Sequence, residues 1–123
     1  MRLTMKENKI LDMSKEFASE IVKVSNILRA KGENAIADQM KRSGTSICAN
    51  VSEANYAQST KDLVSKFEIA LKEANETNSW LDIIYNNKFI SDQTYKLLSN
   101  QVIKIKILLI KSIKTIKNNY GLK

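Results

Sequence analysis

The chain predicts an all-α protein: an antiparallel up-down-up-down four-helix bundle, folded as a single domain over residues 1–123. Three observations carry this. There is no proline, and the only glycines are Gly32, Gly44 and Gly121, too few for the turns of a β-rich fold. Apolar residues recur at steps of three, four and seven along four long segments, the period of a helix with one buried face. A chain of 123 residues, 43% of them apolar, buries roughly two-thirds of its unfolded surface, enough for one core.

The first helix is expected over about residues 5–31. Ile10, Phe17, Ile21, Val24 and Leu28 form its apolar face, while Asp12, Lys15, Glu16, Glu20 and Lys23 occupy the others. Gly32 follows directly and suits a C-terminal cap. The second helix is expected over about residues 33–56, with Ile36, Met40, Ile47, Val51 and Ala54 in one stripe. Ser43, Gly44, Ser46, Ala49 and Ala54 give it little bulk, so another helix can approach closely. Arg42, Ser46, Asn50 and Glu53 make a polar row beside that stripe. A structural polar row that fixes register against a neighbour fits these residue types better than a catalytic site.

The third helix is expected over about residues 60–86. Ser59 is placed to cap it, and Asp62 stands at capping-box spacing. Its stripe is Leu63, Phe67, Ala70, Leu71, Ala74, Leu81 and Ile84, with Val64 and Tyr85 at the edges and Thr77 and Asn78 as polar interruptions. Trp80 falls off the stripe, where it covers the bundle edge or anchors a contact between subunits. Asn86 and Asn87 mark the next turn.

The fourth helix is expected over about residues 92–119, with Ser91 as N-cap and Asp92 favourably placed in the first turn. Tyr95, Leu98, Val102, Ile105, Leu109, Ser112 and Ile116 form its core line. The segment from Val102 to Ile107 also alternates like a strand, but no second strand is visible to pair with it. The helix has more apolar residues than one core uses. Ile103, Ile107 and Ile110 point outward and form a candidate oligomer interface, with Trp80 a further candidate. Each isoleucine is worth about 1.5–3 kcal/mol if buried. Flanking lysines can pack their stems and keep their heads in water.

The charge is uneven. Residues 1–92 hold equal numbers of basic and acidic side chains. From Gln93 onward there are Lys96, Lys104, Lys106, Lys111, Lys114, Lys117 and Lys123 and no acid, so the net charge of +7 sits on the last quarter. Such asymmetry points to an anionic partner; a merely solubilising helix is the plainer alternative. Lys96, Lys104, Lys106, Lys111, Lys114 and Lys117 are therefore candidate nucleic-acid contacts. The support is limited, because the chain has only three arginines, and arginine makes the better fork for phosphate.

The absence of histidine removes the commonest general base and metal ligand, and the single cysteine, Cys48, cannot form an internal disulfide. No catalytic residue, metal or cofactor is expected. Glu73 and Glu76 are three apart, a spacing common on solvated helices. Residues 1–15 carry charges throughout and read as no signal peptide. No apolar run spans a bilayer. A soluble cytoplasmic protein without a membrane partner is the expectation.

The run Arg42-Ser43-Gly44-Thr45-Ser46-Ile47, then Asn50-Val51-Ser52-Glu53-Ala54, carries a family likeness. It continues through Ser59-Thr60-Lys61-Asp62 and Phe67-Glu68-Ile69-Ala70-Leu71-Lys72-Glu73-Ala74-Asn75-Glu76 to Phe89-Ile90-Ser91-Asp92. In this the chain resembles the bacterial four-helix bundles encoded by intervening sequences within 23S ribosomal RNA genes. Ala54 stands where the family usually has glycine. The resemblance implies an up-down-up-down bundle assembled into a ring, commonly of five subunits, with no catalytic activity. A related branch, the accessory proteins of diversity-generating retroelements, consists of basic pentamers that bind a reverse transcriptase and nucleic acid. Two non-enzymatic readings follow: a ring-forming homo-oligomer whose basic surface engages RNA or DNA, or an adaptor that docks a protein partner, such as a nucleic-acid-processing protein, through the exposed apolar face.

Overall fold

The computed structural model describes residues 3–121. It contains α1 (Met5–Ala30), α2 (Asn34–Ala54), α3 (Thr60–Asn86) and α4 (Asp92–Asn119), with no strand among the described residues. The helix limits agree with periodicity to within two residues. Each helix packs on its neighbour in sequence and α4 returns against α1, while the diagonal pairs have no close backbone approach among the described residues. Short connections make the neighbours antiparallel and close a square, so the α1–α4 edge lies opposite the α2–α3 edge.

Caps set the helix ends. Ser59 and Ser91 accept the N–H of Asp62 and Thr94, each at 3.1 Å. Asp62 reaches past Ser59 to the Gln58 N–H at 3.1 Å, one residue earlier than a capping box requires. A complete box, unforeseen from periodicity, starts α1. Thr4 Oγ1 accepts from the Glu7 N–H at 3.1 Å, and Glu7 Oε1 accepts from the Thr4 N–H at 2.8 Å. At the end of α1, Gly32 has φ +83°; its N–H reaches Arg29 O and the Glu33 N–H reaches Leu28 O, both at 2.9 Å. These two bonds form a Schellman motif. The end of α3 repeats it with Lys88 N–H on Tyr85 O and Phe89 N–H on Ile84 O, both at 2.9 Å. There the left-handed position is Lys88, at φ 62°. The strained residue thus follows the Asn86–Asn87 pair that marked the turn.

One core fills the square. Ile10, Phe17, Ile21, Leu28, Met40, Ile47, Phe67, Leu81, Ile84, Leu98, Ile105 and Leu109 are wholly buried. Ile36, Leu71 and Tyr95, expected in the stripes, are only half-buried at the core margin. Val64, expected at an edge, is buried, as is Ile113. At the flank of a stripe, the position of the neighbouring helix decides burial, not the period. Ala54 is wholly buried, so the core accommodates the methyl that a family glycine would lack. Ser14 Oγ and Ser112 Oγ are buried without a hydrogen-bond partner. The Thr77 and Ser43 hydroxyls instead meet at 2.9 Å across α2 and α3. That bond gives the polar break in the α3 stripe a partner among the small residues of α2.

α1 and α2 approach closely at Gly44. A Cβ on Gly44 would stand 2.7 Å from Ile21 Cγ2 and 3.1 Å from Ile21 Cβ. The Ile21 Cβ is fixed to the backbone and cannot rotate away. Gly44→Ala gains about 1 kcal/mol of helix propensity but incurs an overpacking cost of about 1–3 kcal/mol. We expect a lower urea midpoint at unchanged slope, and a smaller loss when the same change is made in an Ile21→Ala background, which removes the Cγ contacts and leaves the Cβ contact. Lys88→Gly removes the left-handed strain and should raise stability by about 0.5–1 kcal/mol in the same measurement.

Candidate functional site

Burying Leu98, Val102, Ile105 and Leu109 turns the opposite side of α4 outward. Ile103, Ile107 and Ile110 remain 44%, 46% and 40% exposed on that side. Helical spacing puts Lys96 and Lys114 in line with this stripe, Lys104 and Lys111 on its α1 flank, and Lys106 and Lys117 on its α3 flank. Lys117 pairs with Glu68 of α3 at 3.3 Å. Lys96, Lys104, Lys106, Lys111 and Lys114 have no ion-pair partner among the described residues. Lys123 lies outside the described residues.

The α1–α4 edge adds groups that counting charge along the chain concealed. Lys9, Met13, Lys104, Ile107 and Leu108 line an open hollow of about 380 Å³ beside the stripe. A second hollow, of about 220 Å³, brings Lys6 next to Thr115 and Ile116. Lys6 and Lys9 therefore join the α4 lysines, although their charge is cancelled by acids when the first three helices are read as one segment. Of the acids near them, Glu7 is buried in the α1 cap. The signal for these lysines was available only as a face, once α1 and α4 were known to be neighbours.

The polar row of α2 divides. Arg42 bonds Glu73 at 3.1 Å and also Glu76, both on α3. Glu53 pairs with Lys66 of α3 at 3.2 Å. Between them, Asn50 Nδ2 donates to the Ser46 carbonyl at 2.8 Å. The charged ends of the row thus tie α2 to α3, and the middle closes on its own helix, so the row is not one continuous network. Desolvation pulls the Arg42 pKa down, but attraction and hydrogen bonds from Glu73 and Glu76 outweigh it and the net shift is upward. Trp80 is half-buried against the core, and its indole N–H donates to Glu76 at 3.4 Å.

Other reactive groups are engaged or shielded. Burial pushes the Cys48 thiol up, an effect that Lys15 partly offsets; such a thiol is a poor nucleophile. No group of three or more acidic or cysteine side chains among the described residues is placed to hold a metal ion. At the α3–α4 edge, Tyr85 and Tyr95 stack with ring centroids 4.0 Å apart. Tyr85 donates to Asp92 at 2.8 Å and Tyr95 to Asp82 at 2.6 Å. No described helix is long and apolar enough to cross a membrane.

These features define a class: an all-α, up-down-up-down four-helix bundle whose fourth helix presents apolar residues between unpaired lysines. The chain belongs to the family of 23S rRNA-intervening sequence proteins, whose model matches residues 6–111. A crystal structure of a protein of unknown function from the S23 ribosomal protein family of Bacteroides thetaiotaomicron is similar to it. The two share 43% identity and a TM-score of 0.86, over 89% of this chain and 99% of that one. No curated protein matches the chain.

The tyrosine pair generates a pH test. Hydrogen bonding to Asp92 is the main cause that raises the Tyr85 pKa, and hydrogen bonding to Asp82 does the same for Tyr95. A phenol whose folded pKa exceeds its unfolded value, about 10, stabilises the fold fully below that value. The contribution disappears as pH rises through the folded pKa. Thermal midpoints should therefore fall above about pH 10, and less steeply in a Tyr85→Phe, Tyr95→Phe double variant.

Proposed function

We propose that this protein is a non-enzymatic, ring-forming homo-oligomer whose basic surface engages the phosphate backbone of RNA or DNA. The observation that carries the reading is the outer face of α4: half-exposed Ile103, Ile107 and Ile110 set among Lys96, Lys104, Lys106, Lys111 and Lys114, which have no acidic partner among the described residues. Water disfavours such a stripe, and copies of the chain that cover it remove the cost. The lysines at the rim keep their ammonium groups in solvent. Each subunit of a ring adds its own set, so the field grows with subunit number. The family resemblance supports five subunits. A cytoplasmic location agrees with the single cysteine.

The absence of a catalytic role is part of the proposal. Glu73 and Glu76, the two carboxylates three apart on α3, are both held by Arg42. An adaptor that docks a foreign protein draws on the same α4 stripe, and would be the better reading if the stripe stayed uncovered in solution.

Filter retention of single-stranded RNA and duplex DNA tests the proposal. Binding should be strong at low salt and weaken steeply between about 50 and 200 mM, as counterion release requires. Lys111→Gln with Lys114→Gln should lower affinity and flatten the logarithmic salt slope by about 0.7–0.9 for each phosphate no longer neutralised. No retention at low salt refutes nucleic-acid binding. A single-chain mass at micromolar concentration refutes the ring.

A further inference from the structure

A third hollow, of about 340 Å³, opens on the α1–α4 edge, and its lining differs from that of the other two. Met13 of α1 and Leu97 of α4 supply apolar walls, Glu16 lines it from α1, and Asn100, Gln101 and Lys104 line it from α4. Leu97 is 52% exposed although its neighbour Leu98 is buried in the core, so the bundle makes little use of it. Glu16 and Lys104 have no ion-pair partner among the described residues. Gln101 Oε1 is buried without a hydrogen-bond partner. An acceptor enclosed in this way carries a desolvation cost that a donor would remove, and a rotation of the amide turns it to the hollow. Apolar walls, a carboxylate, two amides and one cation at the rim are the parts of a seat for a nucleobase beside a phosphate contact.

We infer that this hollow takes one unstacked guanine of a single strand, with the adjoining phosphate on Lys104. The inference rests on the nucleic-acid reading above and names the unit that is recognised. Guanine carries two adjacent donors, N1–H and the N2 amino group, and the two oxygens of a carboxylate such as Glu16 accept both at once. Adenine and cytosine place a ring-nitrogen acceptor beside their amino group, and uracil flanks its one N–H with carbonyls. Each of these turns a lone pair toward Glu16. The Asn100 amide donates to guanine O6, and the Gln101 amide oxygen accepts the remaining N2–H. Met13 and Leu97 cover the base faces in place of the stacked neighbours. Asp12 and Glu20 flank Glu16 along α1, and Lys23 holds Glu20 at 3.2 Å. These acids turn the phosphate away from α1 and toward Lys104. In a duplex the N1–H and N2 donors of guanine are already paired, so the hollow selects single strands.

Anisotropy titration with labelled oligouridine twelve-mers that differ only in the central base tests the inference. At low salt the strand with a central guanosine should bind about five-fold or more tightly than those with adenosine, cytidine or uridine. Glu16→Gln should abolish that preference and leave the all-uridine strand bound at least as well, because an acid is lost. Asn100→Ala, which removes the donor to O6, should narrow the preference without changing the salt slope. Lys104→Gln should weaken all four strands alike. The three side chains are exposed, and an unchanged circular dichroism melt confirms folding. Equal affinity for the four strands, or a preference that survives Glu16→Gln, overturns the guanine seat while leaving nucleic-acid binding standing. Displacement of the guanosine strand by an equal concentration of guanosine monophosphate assigns the hollow to the free nucleotide and overturns the strand as its ligand. No binding of any strand at low salt overturns the nucleic-acid reading as well.

Discussion

The contact between Gly44 and Ile21 governs how the first two helices meet. With no side chain at position 44, the α2 backbone comes so near α1 that a single methyl would stand 2.7 Å from Ile21 Cγ2. The small residues around Gly44 then serve a purpose that their individual propensities do not explain. Ser43 is buried, and its hydroxyl meets Thr77 of α3, so one turn of α2 contacts the helices on both sides. Packing at this density transmits displacement, and a shift at Gly44 would be felt at the Ser43–Thr77 bond and along the α2–α3 edge.

That edge is held by charge as well as by packing. Arg42 reaches two carboxylates and Glu53 reaches Lys66, which pins the axial register of α3 against α2 at two points along the helices. Exposed ion pairs of this kind contribute little net stability. Their effect here is on specificity: a sliding register would separate Arg42 from Glu73 and Glu76 together. The same acids give α3 the electrostatic character that sets it apart from the lysine-coated α4.

α4 has two obligations. It completes the core through Leu98, Val102, Ile105 and Leu109, and it shows isoleucines and lysines to the outside. A helix apolar on opposite sides is poorly matched to an isolated bundle. The assembly and polyanion proposals both come from this mismatch. Membership of a family defined by sequence and fold, with a similar structure of unknown function, supports the bundle itself and leaves the role to be argued from the surface.

Much of this was legible in the chain. The four helices, the Ser59 and Ser91 caps, the Gly32 stop and the central core residues follow from period and capping chemistry, which are local. The outward direction of Ile103, Ile107 and Ile110 follows too, because a helix whose inner face is known has a known outer face. The Thr4–Glu7 box was written in the sequence but carried no apolar signal to draw attention to it. Other features belong to the tertiary structure alone. Which flank residues are buried, as with Val64 against Leu71, depends on where the next helix lies. The gathering of Lys6 and Lys9 with Lys104 required α1 and α4 to be neighbours. The partners of Arg42 and Glu53 required the α2–α3 register. The sequence by itself determined each helix and the face it buries, because those depend on spacing within about two turns; the tertiary structure decided which charges share a surface, because that depends on contacts between residues far apart in the chain.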